Sequence, residues 1–367
     1  MKKKILILVI IIFVVIAFLG VFWFINGLKP VNINNQEEQI VEIDQGIGTE
    51  GILNTLKQHN LINNTFIAKI YVKLNRVSGL QAGTYQLNQA MSLEEILNKI
   101  SSGEVYDESV KITFLEGKNM RWIASKIAEK TNNKEDDVYN LLEDKSYIQS
   151  LIEKYWFLTN EVTSEEIYYP LEGYLFPDTY IFENKDVSVK TIFNIILNNI
   201  DKILTKYRTE IQESSFNIHQ ILTIASIVEL EGNTEEERQG IASVIYNRLK
   251  SNMSLGSDVT TYYAIKTDMG ERNLYAPEIN TYNPYNTRGP SMAGKLPIGP
   301  ICNPSEEAIK ATLNPLETNY LYFVADSTGK IYFTSTYKEH QEVIQRLQKQ
   351  GLWYEYESTD DNSYIAN

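Results

Sequence analysis

Only one cysteine, Cys302, occurs in the 367 residues, so the chain can form no internal disulfide and no cysteine-based metal site. The three histidines, His59, His219 and His340, stand far apart and make no HExxH pair. Zinc chemistry therefore has no support, and neither a metal nor another cofactor is expected. Basic residues are also scarce: 34 Lys and Arg against 47 Asp and Glu leave a net charge of -13, the wrong sign for a nucleic-acid partner. Apolar and aromatic residues are abundant instead. A hydrophobic content of 43% with 24 tyrosines argues for a packed body rather than a disordered one, and the length suits two domains.

The longest uncharged run opens the chain. "MKKKILILVIIIFVVIAFLGVFWFINGLK" carries three lysines and then no charge from Ile5 to Ile25, enough as a helix to span a bilayer core of roughly 30 Å. Lys2 to Lys4 are expected to stay cytoplasmic, with the rest of the chain across the membrane. The apolar core exceeds that of an ordinary signal peptide and no small-x-small site follows, so a retained single-pass anchor is expected over a cleaved leader. Residues 26–40 are polar and contain a proline, as a linker leaving a membrane would.

From Val41 the pattern changes to strand, turn and helix. "VEIDQGIGTEGILNTLKQ" alternates, turns at glycine and then places Ile52, Leu53 and Leu56 on one helical face. "AGTYQLNQAMSLEEILNKISSG" repeats the unit, with Tyr85 and Leu87 in the strand, a Ser92/Glu95 capping box, and Ile96, Leu97 and Ile100 as the apolar face. A third unit begins with Val110, Ile112 and Phe114 before Gly117. Helices are expected within 134–169, over 187–213 and over 217–231. Between the first two of these, "YYPLEGYLFPDTYIF" is stiffened by prolines and reads equally well as a packing element or as the wall of a groove.

The helix ending in "ASIVELEGNTEEER" is the most informative stretch. Ile218, Ile221, Leu222, Ile224, Ala225, Ile227 and Val228 leave it no polar face, which predicts burial on most sides. A charged residue in such a helix needs a reason. At about 100° per residue, Glu229 and Glu231 point to opposite sides and cannot act as a local pair. Glu229 lies along the apolar wall in the last turn before Gly232. Burial and the carbonyl end of the helix both disfavour its ionised form there, as a general acid at a glycosidic oxygen requires. The competing reading pairs Glu229 with a buried arginine, or leaves both glutamates in solvent. Glu235 to Glu237 are expected to be structural, with Thr234 and Glu237 capping the next helix and Arg248 lying on its surface or in a salt bridge.

Farther on, "GSDVTTYYAIKTDMG" and "NTYNPYNTRGPSMAGKLPIGPICNPSEEAIKATLNP" are rich in Asn, Thr, Tyr, Pro and Gly. Rigid loops carrying planar amides and aromatic plates suit a sugar, and long irregular stretches in compact domains are often functional. The plainer reading is a proline-stiffened connector. A hairpin turned at "DSTGK" and a helix close the folded part.

Taken in order, "LEGYLFPDTY", "IASIVELEG" with "IASVIYNRL", "SDVTTYYAI", "YNTRG…LPIGPICNPSEEAIKATLNP" and "YLYFVADSTGKIYF" resemble the membrane-anchored endolytic murein transglycosylases, the MltG or YceG-like family, over about residues 40–350. The lysine-led apolar start fits that resemblance. It implies an α+β chain in segments: cytoplasmic tail 1–4, transmembrane helix 5–25, linker 26–40, LysM-like module 41–106, mixed α+β catalytic domain 107–350 and polar tail 351–367. The family's catalytic glutamate lies in "IVE", which carries over to Glu229, and Glu231 is not given that role. Family members often carry tryptophan where this chain has Tyr174 or Phe176, and "YNTRG" differs from relatives at Arg288.

The implied reaction cuts the MurNAc-GlcNAc β-1,4 bond within nascent peptidoglycan strands, terminating their growth. Glu229 would protonate the leaving oxygen and then take the proton of the substrate's own C6 hydroxyl, which closes a 1,6-anhydro ring without a second carboxylate. Asp258, Thr260, Tyr285, Asn286 and Thr287 are expected near the glycan, and wall synthases are the implied protein partners. Two other functions stay open from the residues alone. One is a membrane-tethered glycan-binding scaffold without catalysis; the other is a lysozyme-like hydrolase that pairs Glu229 with Asp258.

Overall fold

A computed structural model describes residues 2–353, so most of the polar tail expected from residue 351 lies outside the described residues. The chain divides after Glu108 into two compact units, each mixing helices with small sheets.

The first unit begins with helix α1 (Lys2–Leu28), whose apolar side chains from Ile5 to Trp23 stay exposed and whose length, roughly 40 Å at 1.5 Å per residue, can cross a bilayer. After it, β1 (Gln39–Ile43), α2 (Thr49–Gln58), α3 (Thr65–Leu74), β2 (Gly83–Leu87) and α4 (Leu93–Ser102) form a small α+β body. β1 and β2 pair antiparallel with Val41 opposite Tyr85, and strand alternation turns Val41, Ile43, Tyr85 and Leu87 inward. Ile52, Leu53 and Leu56 of α2 and Ile96, Leu97 and Ile100 of α4 close the same core. Ser92 and Glu95 satisfy each other's backbone N–H at the start of α4, as expected. Helix α3 was not anticipated, because "TFIAKIYVKL" mixes β-branched and aromatic residues that suit a strand equally well. Asn64 decides the matter by accepting from the N–H groups of Phe66 and Ile67.

The second unit opens with β3 (Val110–Thr113), which pairs antiparallel with β4 (Thr179–Phe182), Ile112 facing Tyr180. Between them run α5 (Met120–Lys130), α6 (Glu135–Glu143) and α7 (Lys145–Lys154). The helical character expected across 134–169 therefore ends at Lys154, apart from one 3₁₀ turn at Asn160–Thr163. The stretch expected as a single helix over 187–213 is broken at Tyr207 into α8 (Val189–Lys206) and α9 (Arg208–Glu213). Next come α10 (Ile218–Glu231), α11 (Glu235–Lys250), α12 (Asp258–Ala264), α13 (Ala276–Ile279) and α14 (Glu306–Leu313). Last are the hairpin β5 (Tyr322–Ala325) and β6 (Ile331–Thr334), and α15 (Tyr337–Lys349).

Two apolar clusters fill this unit, and α10 belongs to both. Ile218, Ile221, Leu222 and Ala225 pack with α5, α8 and the 171–176 segment, while Ile224, Ile227 and Val228 pack with α11, α12 and α14. That is the physical reason for its all-round apolar sequence, and it leaves the C-terminal end of α10 where both cores stop. At the start of α11, Thr234 and Glu237 form the expected capping box. Thr234→Ala should cost about 1 kcal/mol, read as a lowered urea midpoint with an unchanged slope.

Candidate active site

Glu229 sits in the last turn of α10 with only 6% of its side chain exposed. Three groups converge on it. Arg238, one turn into α11, donates from Nη2 to Glu229 Oε1 at 3.1 Å, and from Nε to the Gly232 carbonyl at 3.2 Å. The backbone N–H of Ser305 donates to Glu229 Oε2 at 3.0 Å, and the Ser305 hydroxyl also donates to Oε2. Ser305 is the N-cap of α14, accepting from Ala308 N–H, so Glu229 lies between the carbonyl end of one helix and the amide end of another. Both carboxylate oxygens of Glu229 are therefore engaged, Oε1 by Arg238 and Oε2 by Ser305. The arginine pairing weighed against a catalytic role is thus present, as part of a larger constellation.

Gly232 makes that pairing possible. It caps α10 in an extended conformation (φ -121°), and a β-carbon there would come within 3.0 Å of Arg238 Cγ and 2.9 Å of Ile241 Cδ1. Any larger residue would push Arg238 away from Glu229.

A further acid lies in the neighbouring turn. Glu116 follows β3 in a turn whose next residue, Gly117, would carry its β-carbon 3.7 Å from Glu229 Cγ. Burial, then the nearby charges of Glu229 and Glu307, push Glu116 above the usual carboxylate range, with Arg238 pulling the other way.

Behind this site lies a buried polar core. Glu172, 2% exposed, accepts from Met120 N–H at 2.9 Å, from the Tyr263 hydroxyl at 3.0 Å and from Asn303 Nδ2 at 3.1 Å. Burial raises it to about 7 against those donors. Asn303 also accepts from Leu175 N–H, donates to the Lys118 carbonyl and stands two residues before Ser305, so it ties together three chain segments around Glu229. Of the proline-rich stretch, Leu171 to Phe176 are thus packing elements, whereas Tyr168, Tyr169 and Pro170 line an open cavity of about 400 Å³ with Tyr139, Leu142, Glu143 and Lys266. Both readings of that stretch therefore apply, to different halves of it.

Glu231 points elsewhere, as helical geometry required. It accepts from the Ser257 hydroxyl at 2.6 Å, and desolvation, aided by the Asp258 charge, raises it while Ser257, Arg288 and Arg248 act in the opposite direction. Asp258 forms an ion pair with Arg288 and keeps 49% of its side chain exposed. Arg248, expected at the surface or in a salt bridge, instead donates to the carbonyls of Leu321 and Leu255, fastening the final hairpin to the loop before α12.

The other four residues expected near the glycan are sealed inside. Thr260, Tyr285, Asn286 and Thr287 are each no more than 1% exposed. Thr260 and Thr287 hydrogen-bond to each other at 2.8 Å. Asn286 Nδ2 donates to the carbonyls of Glu278, Ile279 and Thr281, and its Oδ1 accepts from the Thr261 hydroxyl and Arg288 N–H. Tyr285 packs against Tyr168 and Tyr263 and accepts from Tyr168 N–H. Their polar atoms are engaged within the protein, so these residues shape the loop and offer a ligand no free contact. Loop composition does not reveal which polar groups face solvent, because polar side chains can be buried where the protein itself satisfies their hydrogen bonds. Sequence reasoning also missed Arg238, Ser305 and Glu116. Ser305 was legible as a helix cap in "PSEEA", but its meeting with Glu229 across 76 residues was not.

Comparison with known proteins agrees with this architecture. The family model described as "YceG-like family" matches residues 41–346. The chain is 35% identical over 320 residues to the endolytic murein transglycosylase of Bacillus subtilis, covering 87% of each protein. It is 29% identical over 344 residues to the endolytic murein transglycosylase of Streptococcus pneumoniae strain D39, covering 89% of this chain and 62% of that one. A crystal structure of a YceG-like protein from Listeria monocytogenes superposes with a TM-score of 0.60 at 35% identity, over 84% of this chain and 99% of that one. With most of its length matched by the family model and by relatives above 30% identity, the chain belongs to the YceG-like family.

Proposed function

We propose that the protein is a peptidoglycan lytic transglycosylase in which Glu229 serves first as general acid and then as general base. The observation that carries this reading is the placement of one buried carboxyl group where α10, α11 and α14 meet, oriented by Arg238 and Ser305. In the first half-reaction Glu229 O–H protonates the glycosidic oxygen as the C1–O bond breaks. In the second, the resulting carboxylate takes the proton of the muramyl C6 hydroxyl while its oxygen bonds to C1, leaving a 1,6-anhydro end and a protonated Glu229. No water is consumed. Cleavage within strands fits the names of the relatives, and on nascent strands it would terminate growth.

α1 is proposed as the membrane anchor, with Lys2 to Lys4 cytoplasmic and the second unit on the outer face. Residues 41–106 are read as a LysM-like module that binds glycan, and wall synthases as neighbours in the membrane. The hydrolase pairing of Glu229 with Asp258 loses its support, because Asp258 belongs to the Arg288 and Glu231 group. A hydrolase reading now rests on Glu116, an acid raised by burial and by the nearby Glu229 charge.

Digesting purified peptidoglycan with the full-length protein in detergent separates these outcomes. Mass spectrometry should show products ending in anhydro-muramic acid. Reducing ends, heavier by one water, would transfer the reaction to the hydrolase class, and no products at all would leave a glycan-binding scaffold.

A further inference from the structure

We infer that the first unit rests on the membrane itself: the stripe Phe66, Ile70 and Leu74 of α3 enters the lipid interface beside Trp23, where α1 ends. The inference depends on the reading of α1 as a membrane anchor and goes beyond it by giving the folded body a second, peripheral contact with lipid.

The placement follows from where α1 meets that body. From Ile5 to Phe22 its apolar side chains are exposed, and a β-carbon on Gly20 would find no atom within 4 Å. The last turns are different. The Trp23 ring lies 6.4 Å from that of Phe66, and Gly27 brings α1 so close to α3 that a β-carbon there would collide with the Ile67 side chain, reaching its Cγ2 at 3.0 Å. The residues that follow are tied to the same unit. Leu28 packs against its core, Asn63 Nδ2 donates to the Lys29 carbonyl at 2.7 Å, Asn32 N–H donates to the Gln89 carbonyl at 3.0 Å, and Asn35 Nδ2 donates to Gln89 Oε1 at 3.2 Å. The body is thus fastened to the end of α1 instead of swinging on a loose tether.

Depth is then set by α1. The uncharged run from Ile5 to Ile25 matches a hydrocarbon core of roughly 30 Å, so Trp23 stands at its edge, the level at which tryptophan is enriched in membrane proteins. Phe66 stands at the same level. Along α3, Phe66, Ile70 and Leu74 recur every fourth residue on one side of the helix, opposite Ala68, Tyr71 and Val72, which face the core. Phe66 is 60% and Leu74 69% exposed. Lys69 and Lys73 flank the stripe, Arg76 follows it, and α3 contains no acid, although the whole chain carries a net charge of -13. An apolar stripe bordered by basic side chains suits the boundary between acyl chains and anionic headgroups. Lipid already surrounds the neighbouring turn of α1, which makes it the occupant of this face.

The test attaches an environment-sensitive fluorophore, one site at a time, to an introduced cysteine of the full-length protein in nanodiscs of phosphatidylglycerol and phosphatidylethanolamine. Probes on Phe66→Cys and Leu74→Cys should emit at shorter wavelength and lose intensity when the discs contain lipid carrying a nitroxide near the headgroup. A probe on Val105→Cys should do neither, because Val105 packs on Gly83, at the end of the β1–β2 ribbon away from Gln89. Equal quenching at Val105 would overturn the inference, since contact would not be particular to α3. A wavelength shift at Phe66 and Leu74 without quenching would also overturn it, by showing that protein covers the stripe. Phe18→Cys, within α1, separates the two readings: quenching there with none at Phe66 and Leu74 refutes the peripheral contact and keeps the anchor, whereas no quenching at Phe18 removes the anchor itself.

Discussion

Glu229→Gln is expected to lower strand cleavage by about 10²- to 10⁴-fold while leaving the protein folded and able to bind glycan. The amide keeps the shape of the side chain and can present its oxygen to Ser305, whose N–H and hydroxyl both need an acceptor. Its NH₂ then faces Arg238, which loses its carboxylate partner but keeps the Gly232 carbonyl. The stability change should be about 2 to 3 kcal/mol, because the charge-assisted bond to Arg238 is lost and two donors then face each other, while no cavity opens. What the amide cannot do is give up a proton to the leaving oxygen. Release of anhydro-muropeptides measured by mass spectrometry, beside a pull-down of the variant on insoluble peptidoglycan, checks both halves. Full activity in the variant removes Glu229 from the reaction, and loss of binding along with activity would make it a substrate-holding or folding residue instead.

Glu172→Ala should produce the largest loss of stability that a single polar residue can cause here, roughly 3 to 5 kcal/mol at pH 5. The substitution strands the Met120 N–H, the Tyr263 hydroxyl and one Asn303 amide hydrogen in a space 2% exposed. The size of the loss depends on pH. Folding raises Glu172 from 4.5 to about 7, so the folded state binds this proton more tightly than the unfolded chain does. Its contribution is complete below about 4.5 and declines as pH rises through about 7, by roughly 3 kcal/mol in all. The alanine variant has no such group. Its deficit should therefore shrink between pH 5 and pH 8, seen as two urea-melt curves that approach each other. A deficit that stays constant, or widens toward pH 8, would show that the carboxyl is ionised throughout and that its donors outweigh burial.

Periodicity made a large part of the fold readable beforehand. Val41, Ile43, Tyr85 and Leu87 alternate because one face of a two-stranded ribbon is buried, and Ser92, Thr234 and Ser305 announce helix starts because a cap needs only local residues. Glu229 stood out for a similar reason: an acid ending an apolar helix is a local contradiction. What surrounds it was not readable, since Arg238 and Ser305 reach it from two other segments, the turn at Gly117 passes beside it from a third, and their sequence neighbourhoods are ordinary. Thr260, Tyr285, Asn286 and Thr287 show the reverse error. Their composition suggested an outward surface, and tertiary packing turned each of them inward.

Cys302 has a consequence of its own. Its thiol is fully buried against the Ser226 carbonyl, and burial first, then the charges of Glu172 and Glu229, push it well above the ordinary thiol range. A thiol held protonated and out of reach is a poor nucleophile and a poor partner for exchange. The chain can thus mature without oxidative folding helpers and should be indifferent to the redox state of the space in which it works. Any cysteine introduced at the surface, in the Glu116 turn for example, would then be the sole reactive thiol, so a probe attached there reports on that turn alone.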